Sequence, residues 1–346
     1  MALRTLGVRR AGYAMLVSAA LLLLAFLEWL GEPSAAVSMA CLGERQPLVV
    51  SNQMPYARVA VDGREGYFVV DFGADVSAIT PQGFAGGIKP QALPGTGNAY
   101  RDFVFFGNWG QVRLLFQPRA QVSGSVAQAG VIGTDFLSQH IYTVDYRGAA
   151  IHRAQRGAFC SDPELAAAGF LPLSTSGYYA ANRAILTCPR AGGPGHCPNI
   201  PSLPIRIGGV DAVAQLDTGF DDGSQPHSLN INQAMFDALQ RAGIRLQARP
   251  EIALQLSTCQ QGITERVDAY RLPAGAPLEF IGGAGQAVRS EREVTLFVKR
   301  PPREALVCGG VGTWSQPAAQ LGASFFADGA LVVDPFSARV WFRRRG

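Results

Sequence analysis

Apolar and polar residues alternate in short runs along most of this chain. Pro55-Tyr56-Ala57-Arg58-Val59-Ala60-Val61-Asp62-Gly63 changes character nearly every residue and ends in a Gly turn, and Phe68-Val69-Val70 follows as a second apolar run. Alternation of period two bounded by turn residues predicts half-buried β-strands. Short apolar runs at 104–106, 112–116, 252–256 and 294–298, bounded by Gly, Asn or Pro, predict more of them. Helical periodicity is scarce. Its best stretch is 231–243, with Asn230 or Asn232 as N-cap and Gly243 as stop.

The strand pattern repeats. A shift of 146 positions brings 55–63 onto Pro201-Ser202-Leu203-Pro204-Ile205-Arg206-Ile207-Gly208-Gly209, and Val70-Asp71-Phe72-Gly73 onto Leu216-Asp217-Thr218-Gly219. Each copy reads as a strand, a tight turn, and a strand that ends in an aspartate followed by x-Gly. A second block, Val131-Ile132-Gly133-Thr134-Asp135-Phe136-Leu137, matches Gln320-Leu321-Gly322-Ala323-Ser324-Phe325-Phe326 at a shift of 189. Two blocks in the same order in each half predict a duplicated β-rich lobe, 41–160 and 161–346.

Composition narrows the classes. Apolar residues make up 48% and charged residues 16%, which excludes a disordered chain. The 40 glycines and 22 prolines follow no fixed period, which excludes collagen and suits a turn-rich all-β chain. A net charge of +4 without a basic run in the body offers no groove for nucleic acid. Only Lys89 and Lys299 are lysines among the 30 basic residues, which reads as coding bias.

Arg4, Arg9 and Arg10 precede an uncharged, mostly apolar stretch at 11–27, and a Pro/Ser/Ala segment follows. That layout predicts that 1–40 is a membrane anchor or export signal with a linker, the remainder lying on the periplasmic or extracellular side. Ser38-Met39-Ala40 would serve as a cleavage site if the chain is secreted instead. Six cysteines in an exported chain favour disulfides. Cys188 and Cys197 bracket a Pro/Gly-rich loop; Cys41–Cys160 and Cys259–Cys308 follow if each half closes on itself, although six cysteines allow fifteen pairings. Zinc at Cys188, His196 and Cys197 lacks a second ligand pair, so no metal and no cofactor is expected.

Two strand-end aspartates, Asp71 and Asp217, carry the chemistry. If the lobes pack about a pseudo-twofold axis the carboxyls face each other, and carboxyls about 3 Å apart share one proton. One is then a base toward water and the other an acid toward a carbonyl. Asp145 and Asp334 close a strand before a turn and are expected to be structural. Ser324 lacks the second glycine of a nucleophile elbow.

These motifs resemble the aspartic peptidases. Asp217-Thr218-Gly219 is similar to the Asp-Thr-Gly signature, and Asp71-Phe72-Gly73-Ala74-Asp75-Val76-Ser77-Ala78-Ile79 resembles its retroviral-type form. Val131-Ile132-Gly133 and Leu321-Gly322 resemble the segment that packs behind each catalytic loop, so the likeness spans about 55–342. It implies an all-β, pepsin-like bilobal chain with retropepsin-like lobes, of a bacterial membrane-anchored type. It further implies a monomer cleaving peptide or protein substrates with Asp71 and Asp217, supported by Gly73, Thr218 and Gly219, without a cofactor. Asp75 would bind substrate backbone or an arginine, or be a solvated or turn-capping carboxylate, and Tyr100 would be the flap aromatic. The family carries Thr or Ser after each aspartate to hydrogen-bond the opposite lobe; Phe72 has no such group, and Phe72→Thr is expected to preserve or raise activity. Asp221 and Asp222 would raise the dyad's apparent pKa. The alternative is an inactive scaffold that holds extended peptides.

Overall fold

A computed structural model describes residues 39–89, 100–116, 122–123, 126–175, 187–188, 195–196, 198–220, 226–258, 260 and 262–344. The chain is mostly β, and among the described residues its strands form two large sheets, one from each half, and a six-stranded sheet built from both. The anchor or signal expected at 1–40 falls almost entirely outside these residues. No helix among the described residues is long and apolar enough to cross a membrane.

In the first half, β1 (Met54–Val61), β2 (Arg64–Val70), β3 (Ala78–Ile79), β4 (Tyr100–Phe105), β5 (Gly110–Phe116) and β6 (Val126–Ile132) build the sheet. The hairpin β1–β2 follows the alternation: Ala57, Val59 and Val61 are buried, and Arg58 and Ala60 between them are exposed. Strand β2 runs parallel to β6, β6 antiparallel to β3, β3 parallel to β5, and β5 antiparallel to β4.

The second half repeats this order with β7 (Ser202–Ile207), β8 (Val210–Asp217), β9 (His227–Asn232), β10 (Thr264–Arg271), β11 (Val294–Lys299) and β12 (Ala318–Gly322). Hairpin β7–β8 leads to the pairs β8∥β12, β12 antiparallel to β9, β9∥β11, and β11 antiparallel to β10. The same strand senses in the same order make the sequence repeat a structural repeat. Strand β9 is buried along its whole length, because neighbouring strands cover both its edges and both faces are packed.

The helix expected at 231–243 is present as Gln233–Arg241, where Asn232 Oδ1 accepts from Met235 N at 2.9 Å. Gly243 stops it with φ +76°. The strand expected at 252–256 is displaced to Leu254–Ser257, because Pro250 starts a 3-10 turn at Pro250–Ile252. Asp145 accepts from Gly148 N at 2.9 Å and Asp334 from Phe336 N at 2.8 Å, so both cap turns as expected.

The six-stranded sheet runs Glu44–Pro47, Ala150–Ala154, Ile141–Asp145, Ala330–Asp334, Arg339–Arg343, Leu171–Ser174. Its central pairing joins the halves, with Tyr142 opposite Val333 and Asp145 opposite Ala330. Each half therefore contributes three strands to a sheet that neither completes alone. Leu42, Ile141, Leu165, Phe170 and Trp341 form an apolar cluster separate from the main core. The disulfide Cys41–Cys160 borders that cluster and spans 119 positions; chain-entropy arguments give a closure of that length about 5 kcal/mol. Cys308 is disulfide-bonded as well. The pairings Cys188–Cys197 and Cys259–Cys308 involve side chains outside the described residues, as does the rejected zinc site. No metal-binding cluster occurs among the described residues.

Candidate active site

Strands β2 and β8 each deliver an aspartate to the seam between the halves. Asp71 N donates to Ile132 O at 3.0 Å, which continues the β2–β6 ladder by one residue, and Asp217 lies opposite Gly322 on β12. The turns after them interlock. Gly73 N donates to Asp71 Oδ1 at 2.7 Å, and Gly219 N, from the other half, donates to the same oxygen at 3.1 Å. A hydrogen bond joins the two carboxyls.

Both glycines are demanded by space, not by a left-handed backbone. A Cβ on Gly73 would stand 2.6 Å from Asp217 Cγ, and one on Gly219 would stand 2.5 Å from Asp71 Cγ. Contact is thus reciprocal: each turn closes over the opposite aspartate.

The two carboxyls titrate as a coupled pair, and both are pushed up. Burial raises Asp71, and the N–H groups of Gly73 and Gly219 oppose that by favouring its anion. Burial, the Asp71 charge and the shared hydrogen bond hold Asp217 well above the ordinary carboxylate range. The Lys299 cation, paired with Glu265 at 2.9 Å, counteracts part of this. The arrangement favours one proton on the pair, carried by Asp217, with the charge on Asp71.

Across the seam, Thr218 fastens the second turn to the first half. Its buried Oγ1 accepts from Phe72 N at 3.0 Å and donates to Val70 O at 2.7 Å. The reciprocal position is Phe72, fully buried in the main core and without a side-chain hydrogen-bonding group. The grip is therefore made from one side. Thr218→Val keeps the shape and removes both bonds. It is expected to lower stability by about 2–4 kcal/mol, two buried backbone groups having lost their partner, as urea unfolding would measure.

Behind each turn sits a brace. In the first half Asp135 accepts from Ser77 N at 2.9 Å, Ser77 Oγ at 2.5 Å and Phe136 N at 2.9 Å, and Ser77 Oγ accepts from Gly133 N at 2.9 Å. In the second half Ser228 N donates to Ser324 Oγ at 2.9 Å, and Ala323 N to Phe220 O at 2.8 Å. Ser324 is thus a brace and not a nucleophile.

The remaining expected residues fare unevenly. Asp75 is exposed, pairs with no arginine among the described residues, and acts on Asp135 as a nearby like charge. Tyr100 opens β4 opposite Leu115, but its side chain lies outside the described residues, as do Asp221 and Asp222. Lys299 and Glu265 were not singled out from the sequence; the rarity of lysine was their one signal.

No family model matches the chain, and no curated protein matches it. Among solved structures, basic 7S globulin from soybean is similar over 86% of this chain and 94% of its own, at 11% identity and a TM-score of 0.38.

Proposed function

We propose that this chain is an aspartic-type endopeptidase with two acid-protease lobes, 41–160 and 161–346, acting on peptides or proteins outside the cytoplasm behind an N-terminal anchor. One observation carries the reading: two carboxyls from duplicated strand ends share a hydrogen bond, while two backbone N–H groups hold one of them. Asp71, the anion, takes a proton from a water lodged between the carboxyls. Asp217, the acid, gives its proton to the carbonyl oxygen of the bound peptide as the water oxygen attacks the carbon. The tetrahedral species collapses when the amine leaves with a proton returned through the pair.

The pH dependence follows from the singly protonated state. Activity is lost on the acid side when Asp71 protonates and on the alkaline side when Asp217 ionises. Both carboxyls being raised, that window lies above the range of an ordinary carboxylate pair.

Digestion of a peptide library by the purified full chain, from pH 3 to 8, tests the reading. Asp71→Asn and Asp217→Asn are each expected to lose at least about 1000-fold in kcat, the scale of removing a general acid or base. Asp217→Asn has a second signature. A carboxyl raised on folding contributes stability that is fully present below its unfolded value and declines as pH rises through the folded one. The asparagine variant is therefore expected to gain thermal stability over wild type at neutral pH. Wild-type protein that is folded yet inert at every pH would end the endopeptidase reading.

Phe72 supports a second reading, a scaffold that holds extended peptides without cutting them, because the one-sided grip leaves the first turn less constrained. Phe72→Thr separates the two less cleanly than the sequence suggested. It supplies the hydroxyl but removes a fully buried ring worth about 2–3 kcal/mol.

A further inference from the structure

We propose that Gln320 is a specificity-determining residue, and that the second half recognises a peptide side chain of the carboxamide class, glutamine or asparagine, next to the scissile bond. This deepens the endopeptidase reading and rests on it for the bond that is cut; the binding preference can be measured apart from it.

One cross-strand row, compared between the two halves, points to it. In the first half Tyr56 on β1, Val69 on β2, Val131 on β6 and Ala78 on β3 stand opposite one another in turn. In the second half the same row is Ser202 on β7, Gln215 on β8, Gln320 on β12 and Asn230 on β9. Residues directly opposite one another share a sheet face. The shifts of 146 and 189 that define the repeat carry Tyr56, Val69 and Val131 onto Ser202, Gln215 and Gln320. Three mostly apolar side chains are thereby exchanged for a hydroxyl and two amides.

The row runs beside the dyad. Gln215 precedes Asp217 by two positions on β8, so both point to the same face, their Cα atoms about 7 Å apart. Val69 stands in the same relation to Asp71. Tyr56 and Val69 are closed into an apolar cluster against which Val131 packs. In the second half Ser202, Gln215 and Asn230 are buried, whereas Gln320 is partly exposed, so the row is reached from solvent at Gln320.

The polar atoms of this row do not satisfy one another. Ser202 Oγ donates to Ile200 O at 3.2 Å, and Asn230 Nδ2 to Gln320 Oε1 at 3.4 Å. Gln215 Oε1 and Asn230 Oδ1 are buried and accept no hydrogen bond among the described residues. The Gln320 amide nitrogen donates none among them either. Two acceptors and an –NH2 group thus stand in one row without partners, and leaving buried polar atoms unpaired is costly. The partner that completes the row has to offer both N–H and C=O, as a carboxamide does.

Charge separates a carboxamide from the other polar side chains. A carboxylate here would share the cleft with the charge on Asp71, and Lys299, the cation that acts on Asp217, is already paired with Glu265 at 2.9 Å. An ammonium group would set its protons against the Gln320 –NH2. An apolar side chain would leave all three groups unpaired, which a hydrogen-bonding site rejects more strongly than a hydrophobic pocket rejects a missing methylene. In the first half, Val131 offers the other flank of the scissile bond an apolar contact. The two halves therefore read different side chains on the two sides of one bond.

Two measurements on the full chain test this, with Gln320→Met as a variant of matched length and Gln320→Val as the counterpart of the first half. In a digested peptide library, cleavage by wild type is expected with glutamine or asparagine on one flank and an apolar residue on the other. On single peptides kcat/KM is expected to be at least about 30-fold higher with glutamine at that flank than with leucine, and the ratio to fall to about threefold or less in Gln320→Met. Cleavage by wild type between two apolar residues, or a glutamine preference that survives both substitutions, would overturn the proposal and leave the endopeptidase reading standing. Should neither variant fold, the wild-type preference alone decides. If wild type cleaves nothing, calorimetric titration with alanine octapeptides carrying leucine-glutamine, glutamine-leucine or leucine-leucine at the centre takes over. Binding of one glutamine peptide tighter than the leucine-leucine peptide by about tenfold or more supports the subsite while the endopeptidase reading fails. Equal affinity, or no binding of any of the three, overturns both.

Discussion

Gly219→Ala is expected to reduce peptide cleavage by at least about 100-fold while leaving the chain folded. The new methyl would stand 2.5 Å from Asp71 Cγ and 2.9 Å from its Oδ1, and nearer still to Oδ2. The obstacle is not the tip of a flexible side chain. Asp71 Oδ1 is held by Gly73 N and by Gly219 N itself, and the carboxyl is hydrogen-bonded to Asp217. Either the carboxyl rotates out of the shared hydrogen bond, or the turn retreats and withdraws its N–H from Asp71. Displacement of a reacting group by about 1 Å is enough for a loss on this scale. Gly275→Ala is the control, since nothing lies within 4 Å of a Cβ there. Steady-state kinetics on one peptide, with circular dichroism and Tm beside them, provide the comparison. Cleavage by Gly219→Ala within a few-fold of wild type would mean that the two turns do not close over the aspartates as described.

Glu291→Gln is expected to destabilise the second half most among single polar substitutions outside the dyad. Glu291 is almost fully buried and receives Arg289 Nε, Arg344 Nη1 and the His227 ring. Burial alone would raise its pKa; the cations outweigh burial and bring it from 4.5 down to about 2. A carboxyl lowered on folding contributes stability that is fully present above its unfolded value and is lost as pH falls through its folded one. The stabilisation is thus complete above about pH 4.5 and fades between there and about pH 2, and a shift of that size corresponds to about 3 kcal/mol. Glutamine also leaves Arg289 buried between Phe280 and Phe342 without its counter-charge, and breaking such a pair costs about 3–5 kcal/mol. Urea unfolding at intervals from pH 2.5 to 7 should show a gap between wild type and variant that narrows steadily below pH 4.5. A gap independent of pH would contradict the ion cluster.

Much of this was legible from local pattern. The period-two runs at 55–63 and 201–207 became paired hairpin strands because their register is dictated by which face is apolar. Asn232 and Gly243 bounded a helix because capping and left-handed glycine geometry are decided within one turn of chain. The repeat itself exposed Asp71 and Asp217 together with their glycines. It also drew attention to Asp135 and Ser324 as equivalent positions, though not to their partners Ser77 and Ser228.

Other features lie where no short window reaches. Phe72 looked like a defect in a polar motif, yet its ring fills the main core, a role visible only once both halves are packed. The reason Gly73 and Gly219 admit no side chain is likewise tertiary: a Cβ at either would meet the opposite carboxyl.

The sequence by itself determined the strands, their duplication and the two aspartates, since these depend on alternation and on short motifs. Tertiary structure alone decided three things: the facing of the aspartates, the six-stranded sheet shared by both halves, and the cluster of His227, Arg289, Glu291, Asp328 and Arg344. The physical reason is the same for all three. Each depends on distances between residues far apart in the chain, and such a pairing of charges or strand edges leaves no periodic trace in the sequence.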